Sequence, residues 1–151
     1  MEYKFGTDEY FMQEAYKQAE SAFEQGEVPV GAIIVSNNKI IARGHNQTET
    51  LTDSTAHAEI LALTSAFEFF GAKYLPDCTL YVTLEPCTMC AGALYWSQIG
   101  KVVIGAMDEK RGFLRLSTEE QKILHPRTAL ITGVLAEQSA QLVSRFFKQL
   151  R

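Results

Sequence analysis

The chain has 151 residues, of which 46% are hydrophobic and 21% are charged. This composition excludes the disordered, collagen-like and coiled-coil classes, and it predicts a single domain over residues 1–151 with a core of its own. No apolar run approaches the roughly 18 residues of a membrane helix, and the acidic, aromatic start does not resemble a signal peptide. We therefore expect a cytoplasmic protein that does not contact a membrane.

Charge is distributed unevenly along the chain. The net charge is −4 and the isoelectric point is near 5.4, which argues against binding nucleic acid over the whole surface. Residues 1–100 hold 5 Lys/Arg and 13 Asp/Glu, a net charge of −8, whereas residues 101–151 hold 9 and 5, a net charge of +4. A basic surface is therefore expected in the C-terminal third.

The predicted elements alternate between helices and short apolar strands. Thr7 is a candidate N-cap for an amphipathic helix that ends near Gly26. Further helices are predicted over residues 56–70, 87–98 and 137–150, and strands over residues 30–35, 40–43, 79–83, 101–106 and 128–132. The run Ser117-Thr118-Glu119-Glu120 has the pattern of a capping box and predicts one more short helix. This order predicts an α/β fold, a three-layer α/β/α sandwich around a central mixed five-stranded sheet.

The three cysteines are too few, and odd in number, for a disulfide scaffold. Cys87 and Cys90 are spaced i, i+3 at a predicted helix start, where the helix dipole favours thiolates. By itself this spacing fits a structural zinc half-site, a thioredoxin-like redox pair or a catalytic zinc site. His57 also lies at a predicted helix start, so it is a candidate third ligand, although a lone His is more often a capping or core residue.

One His and two Cys supply three zinc ligands and leave the fourth position open for water, which is typical of a catalytic site. Glu59 follows His57 by two residues and is a candidate proton carrier that does not coordinate the metal. The alternative for Glu59 is a solvated carboxylate at a helix N-terminus.

The arrangement His57-Ala58-Glu59 followed by Pro86-Cys87-Thr88-Met89-Cys90 is the recognised signature of zinc nucleobase deaminases. Several further segments extend the match over nearly the whole chain, to Arg145-Phe146-Phe147: EVPVGA (27–32), HN (45–46), TAHAEI (55–60), TLYVTLEPCTMCAGA (79–93) and IG...VVIGA (99–106). Together they resemble the bacterial tRNA adenosine deaminases of the TadA type.

The resemblance implies a cytidine deaminase-like fold and a homodimer with one zinc ion per subunit. It implies that the protein is a zinc-dependent hydrolase that converts the wobble adenosine of a tRNA anticodon loop to inosine. His57, Cys87 and Cys90 would bind zinc, and Glu59 would carry protons to the ring nitrogen and the leaving amine.

The resemblance also implies four substrate-binding positions. Asn46 matches a residue that hydrogen-bonds the target nucleoside, and the backbone amide of Ala58 lies where the family orients the base. Glu27 belongs to the pocket wall, and Asp108 lies near the sugar and phosphate of the target nucleotide. The alternatives are an Asx-turn for Asn46 and a simple turn for Asp108.

The chain departs from the family pattern after Gly112. The usual tRNA-editing sequence continues through a Gly-Ser pair and an Asn-His segment, and this chain has neither between residues 113 and 128. Six basic residues are candidates for a phosphate-binding rim, unless they are merely solvated: Arg111, Arg115, Lys122, Arg127, Arg145 and Lys148.

Three other functions remain open from the sequence. A free nucleobase or nucleoside, such as guanine or cytosine, is the alternative substrate for the same zinc site. A noncatalytic zinc-stabilised RNA-binding module would leave Glu59 unexplained, and a redox role would leave both His57 and Glu59 without a function.

Overall fold

The computed structural model describes residues 2–150, and its chain alternates helices and strands as the sequence predicts. The helices are α1 (Asp8–Glu24), α2 (Ala58–Phe70), α3 (Thr88–Ser97) and α4 (Ala136–Gln149), and the strands are β1 (Gly31–Ser36), β2 (Lys39–His45), β3 (Thr79–Leu84), β4 (Lys101–Ala106) and β5 (Ala129–Ile131). The predicted N-cap is confirmed, because the Thr7 hydroxyl accepts the N–H of Tyr10 at 3.2 Å. No helix among residues 2–150 has both the length and the apolar character needed to cross a membrane.

The five strands form a mixed sheet in the order β2-β1-β3-β4-β5. The β1 strand pairs antiparallel with β2 and β3, whereas β3, β4 and β5 run parallel to one another. Since successive side chains of a strand point to opposite faces, β1 contributes to two separate cores. Ile33 packs against α1 with Phe11, and Ile34 packs against α2 with Leu63. The predicted three-layer sandwich and its mixed five-stranded sheet are confirmed.

The prediction of a short helix that starts with the capping box at residues 117–120 is wrong. The local bonds of a cap do form, since the Thr118 hydroxyl accepts the N–H of Gln121 at 2.9 Å. However, residues 118–122 are all exposed, so a helix here would have no apolar face to bury. The chain instead forms a single 3-10 turn directly before this run, at Phe113–Leu116, where Phe113 packs in the core.

The sheet brings the starts of α2 and α3 together. The α3 helix begins just beyond the carboxyl end of β3, and α2 packs on the same face of the sheet. At Gly44 the backbone of β2 comes so close to α2 that an added Cβ would meet the carbonyl oxygen of Ala58. A side chain at this position would therefore displace the first turn of α2.

Candidate metal centre and active site

The predicted metal ligands lie at the N-termini of two helices. His57 and Cys87 are the N-cap residues of α2 and α3, with extended backbones, and neither side chain caps its own helix. Cys90 lies in the first turn of α3 and is fully buried. The side chains of all three residues can therefore turn toward one metal position.

The three ligand atoms converge closely enough to hold one ion. Nδ1 of His57 lies 3.6 Å from Sγ of Cys87 and 3.5 Å from Sγ of Cys90, and all three atoms lie within 4.8 Å of one another. A tetrahedral zinc ion, with bonds of about 2.3 Å to sulfur and about 2.1 Å to nitrogen, separates such ligands by about 3.6 Å. The residues therefore fit zinc in both chemistry and spacing.

The triad is already polarised toward metal binding. The hydrogen bond between Cys87 and Cys90, together with the bond from His57, lowers the pKa of the Cys87 thiol to about 3. The same hydrogen bond, together with burial, raises the pKa of Cys90, and the bond to Cys87 raises the pKa of His57. One thiolate is thus present at neutral pH, and a metal ion would displace the remaining protons.

Glu59 is buried beside the triad. Its side chain is only 3% exposed, which excludes the solvated carboxylate considered from the sequence. Burial raises the pKa of Glu59 to about 7, and its carboxylate interacts with the Cys90 thiol. A carboxyl group with this pKa can both accept and donate a proton at neutral pH.

Glu27 supports the loop that contains Glu49 and Thr50. It is 1% exposed, and its carboxylate accepts the N–H of Glu49 at 3.1 Å and both the N–H and the hydroxyl of Thr50 at 2.6 Å. Burial opposes ionisation, but these hydrogen bonds outweigh it and lower the pKa of Glu27. The carboxylate therefore holds the loop between β2 and α2 in place.

Asn46 begins the same loop. Its Nδ2 donates to the carbonyl of Val28 at 3.2 Å, and its Oδ1 accepts the N–H of Thr48 at 3.3 Å. The second bond is the Asx-turn that the sequence offered as an alternative. The amide keeps one N–H and one lone pair free of these bonds, so the turn does not exclude contact with a ligand.

Asp108 lies in a turn after β4, and Ala58 lies at the start of α2. Oδ1 of Asp108 accepts the N–H groups of Lys110 and Arg111 at 3.2 and 3.1 Å, which makes a turn after β4. Ala58 is the first residue of α2, where a backbone N–H has no partner within the helix. Its amide is therefore available to a ligand at the metal centre.

Comparison with known proteins agrees with this geometry. Residues 6–106 match the family described as the cytidine and deoxycytidylate deaminase zinc-binding region. The chain is 47% identical over 147 residues to the tRNA-specific adenosine deaminase of Bacillus subtilis, covering 95% of this chain and 91% of the relative. It is also 47% identical over 145 residues to that of Aquifex aeolicus, covering 95% of both chains. The chain belongs to the tRNA-specific adenosine deaminase family.

Solved structures carry the same fold as this deaminase. One, from a study of A-to-I editing by tRNA:A34 deaminases, is 40% identical with a TM-score of 0.80, covering 88% of this chain and 98% of that one. The guanine deaminase of Nitrosomonas europaea is 24% identical with a TM-score of 0.78, covering 93% and 84%, and it shares the fold alone. The cytidine deaminase-like fold and the zinc-dependent deaminase chemistry are confirmed.

The divergent segment of the deaminase, residues 113–128, packs against the end of α3. The His125 ring lies 5.6 Å from that of Tyr95, and Arg127 donates to Oε1 of Gln98 at 3.0 Å. Leu124 is buried in the core. The segment is thus built into the fold although its sequence departs from the family pattern.

All six candidate phosphate-binding cations of the deaminase are exposed. Arg145 lies over the ring of Phe23, 5.0 Å from its centre, which links α4 to α1. Arg127 has the bond to Gln98 already described. The remaining four have no salt-bridge partner among residues 2–150.

Sequence reasoning assigned no role to Glu85, which lies within the family segment at residues 79–93. This side chain is 5% exposed, and its carboxylate accepts backbone N–H groups from the segment after β4. The signal available in the sequence was a charged residue directly after the apolar run of β3, two positions before a metal ligand.

Proposed function

We propose that this chain is a zinc-dependent hydrolase that deaminates adenosine to inosine at the wobble position of tRNA, and that it works as a homodimer in the cytoplasm. The observation that carries the proposal is the His57, Cys87 and Cys90 triad with a buried carboxyl beside it. It occurs in a chain 47% identical to a tRNA-specific adenosine deaminase along 95% of its length.

The positions of the residues support a proposed role for each of them. His57, Cys87 and Cys90 would hold a zinc ion, which would supply Lewis acidity that lowers the pKa of a water molecule for use as the nucleophile. Glu59 takes one proton from the attacking water and passes it to the ring nitrogen of adenine. It then takes the second proton from the same oxygen, now bonded to the ring carbon, and passes it to the leaving amine. The water oxygen becomes the carbonyl oxygen of inosine, and ammonia departs. The free amide of Ala58 orients the base.

The remaining site residues shape the binding cleft. Asn46 offers its unused amide hydrogen and lone pair to the target nucleoside, while Glu27 holds the loop on which Asn46 lies. Asp108 lies on the exposed turn after β4, where it would face the sugar and phosphate. The six exposed cations supply a rim for the anticodon loop.

The proposed dimer uses one face of α3. Met89 and Trp96 are seven residues apart on this helix, which places them on one stripe, and they are 37% and 75% exposed. Between them Gly92 leaves open space. Because exposed Trp is unusual on a monomer surface and enriched at interfaces, a second copy is the proposed partner of this stripe.

The proposed compartment follows from the substrate and the thiols. Cys78, Cys87 and Cys90 are all free. Thiols of this kind persist in the reducing cytosol, which is also where tRNA is used.

Product analysis tests the function. Purified protein is incubated with total tRNA and, in parallel, with free adenosine, guanine and cytosine, and the products are measured by mass spectrometry together with released ammonia. We expect inosine at the wobble position of tRNA and ammonia in equal amount. Rapid consumption of guanine or cytosine, with adenosine in tRNA untouched, would instead establish the free-base activity. Absence of ammonia from every substrate would indicate a noncatalytic module.

A further inference from the structure

Glu85 is a buried glutamate outside the metal triad, and it joins the segment after β4 to the start of α3. Oε1 of Glu85 accepts the N–H of Asp108 at 2.9 Å, and Oε2 accepts the N–H of Leu114 at 2.8 Å. One carboxylate therefore holds both ends of the segment between these two residues.

Backbone contacts place the same segment directly against the start of α3. The N–H of Phe113 donates to the carbonyl of Pro86 at 3.0 Å, and Gly112 forms an isolated β-bridge with Cys87. The N–H of Glu85 itself donates to the carbonyl of Ala106 at 2.8 Å. The segment is thus docked on three consecutive residues, 85–87, the last of which is a metal ligand.

The constraint on Gly112 comes from the space around it rather than from its backbone conformation. Its φ of −67° is accessible to any residue. However, a Cβ atom at this position would meet the carboxylate of Glu85. Glu85 and Gly112 therefore form a matched pair in which the larger group occupies the room that the smaller one leaves.

The tip of the docked segment faces solvent and carries charge. Lys110 and Arg111 are exposed, and their N–H groups are held by the Asp108 side chain at 3.2 and 3.1 Å. A turn that is ordered before binding loses less conformational entropy when a ligand contacts it. Its geometry depends on the two ends that Glu85 holds.

We propose that Glu85 is a positioning residue for deamination of RNA: it holds the 108–114 segment in the conformation that contacts the substrate beside the target adenosine. This inference rests on the proposed function. Glu85 acts through the segment, so its loss weakens substrate binding while the metal triad and Glu59 remain intact.

The test uses Glu85→Gln in the zinc-loaded full chain. The amide keeps one acceptor oxygen but turns an NH₂ group toward the other backbone N–H, so one hydrogen bond to a charged acceptor is lost. We expect full zinc content and faster hydrogen exchange at the Asp108 and Leu114 amides. For an anticodon stem-loop, KM should rise roughly 10- to 100-fold, the effect of one such bond, with kcat nearly unchanged.

A second pair of variants tests the contact between the two residues. Gly112→Ala should raise KM by itself, because the methyl group displaces the carboxylate. In the Glu85→Ala background the same methyl group enters vacated space, so the double variant should resemble Glu85→Ala alone. Val103→Ala is the matched control, since it removes buried volume on the α1 face of the sheet. It should lower Tm without changing KM or exchange at the segment.

Three results would overturn the proposal. These are unchanged exchange at Asp108 and Leu114 in Glu85→Gln, loss of zinc from that variant, and strictly additive effects of Glu85→Ala and Gly112→Ala. If the wild-type protein does not deaminate tRNA, the proposed function fails, while the exchange and zinc measurements still decide whether Glu85 holds the segment.

Discussion

Nδ1 of His57 lies 3.5 Å from Sγ of Cys90, although 33 residues separate them and each belongs to a different helix. The contact exists because α2 and α3 start on the same face of the sheet and point their first turns at one centre. A single ion held by these side chains would therefore join two helix ends that are far apart in the sequence.

Removal of one ligand should release the metal. We expect about one zinc per chain in the wild-type protein, and Cys87→Ala should lose zinc and lower Tm, because the ion links the two helix starts. Metal analysis and thermal unfolding measure both effects. Cys78→Ala is the matched control, since Cys78 is buried but lies outside the triad. A metal-free protein with full activity would contradict the assignment.

Glu59 should be needed for chemistry and not for folding. Glu59→Gln removes the proton carrier while keeping the size of a side chain that is already buried, so zinc content and Tm should stay close to wild type. Turnover should fall by roughly 100- to 10,000-fold, the usual contribution of general acid–base catalysis. Glu68→Gln, at an exposed position on the same helix, should keep full turnover. Near-normal turnover of Glu59→Gln would show that Glu59 is not needed for proton transfer.

The loop held by Glu27 should give a pH-dependent part of the stability. Hydrogen bonds lower the pKa of Glu27 below its ordinary 4.5, so its ionised form stabilises the folded state more than the unfolded one. This contribution is fully present above the unfolded pKa, and it is lost as pH falls through the folded pKa.

Glu27→Gln should accordingly cost about 1–3 kcal/mol of unfolding free energy at pH 7, and the difference from wild type should shrink below pH 4.5. Denaturant unfolding of both proteins across this range, under identical metal conditions, measures the difference. The exposed Glu24→Gln should show none. A constant difference at all pH values would mean that Glu27 acts only by its shape.

The α3 stripe should control assembly. Trp96→Glu places a charge in the proposed interface and should convert a dimer to a monomer in sedimentation velocity. Phe147→Glu is the matched control, because Phe147 is an exposed aromatic residue, 45% accessible, on α4. Equal masses for wild type and Trp96→Glu would place any dimer contact elsewhere.

The basic C-terminal third should contribute to RNA binding through phosphates. Affinity for an anticodon stem-loop should fall with salt, with a log–log slope of roughly −0.7 for each single-strand phosphate neutralised. Replacing both Arg145 and Lys148 by Gln should reduce the size of this slope by up to about 1.4 without loss of zinc. Replacing Lys4 and Lys39, which are exposed in the acidic part, should leave the slope unchanged. An unaltered slope in the Arg145 and Lys148 variant would remove α4 from the interface.

Much of the fold and the identity of the metal ligands could be predicted from the sequence, because both depend on local spacing. Apolar periodicity indicates which segments are helices and which are strands. The i, i+3 cysteines and the His-x-Glu pair each place two functional groups within one helical turn, so neither needs knowledge of the whole chain. The one wrong element, at residues 117–120, had the local cap but no apolar face to bury.

Tertiary structure alone decided what surrounds those ligands. Glu59 has the same sequence context whether it is solvated or buried, and only the packing of α2 against the sheet makes it 3% exposed. The hydrogen-bond partners of Glu27 and Glu85 lie 22 to 29 residues away along the chain. They belong to loops, whose sequences have no periodicity that predicts where they lie. Almost every residue of α3 is apolar, so its sequence does not show that Trp96 faces outward. A hydrogen bond or a buried surface depends on where two distant segments meet, and that is a property of the assembled sheet and helices rather than of either segment.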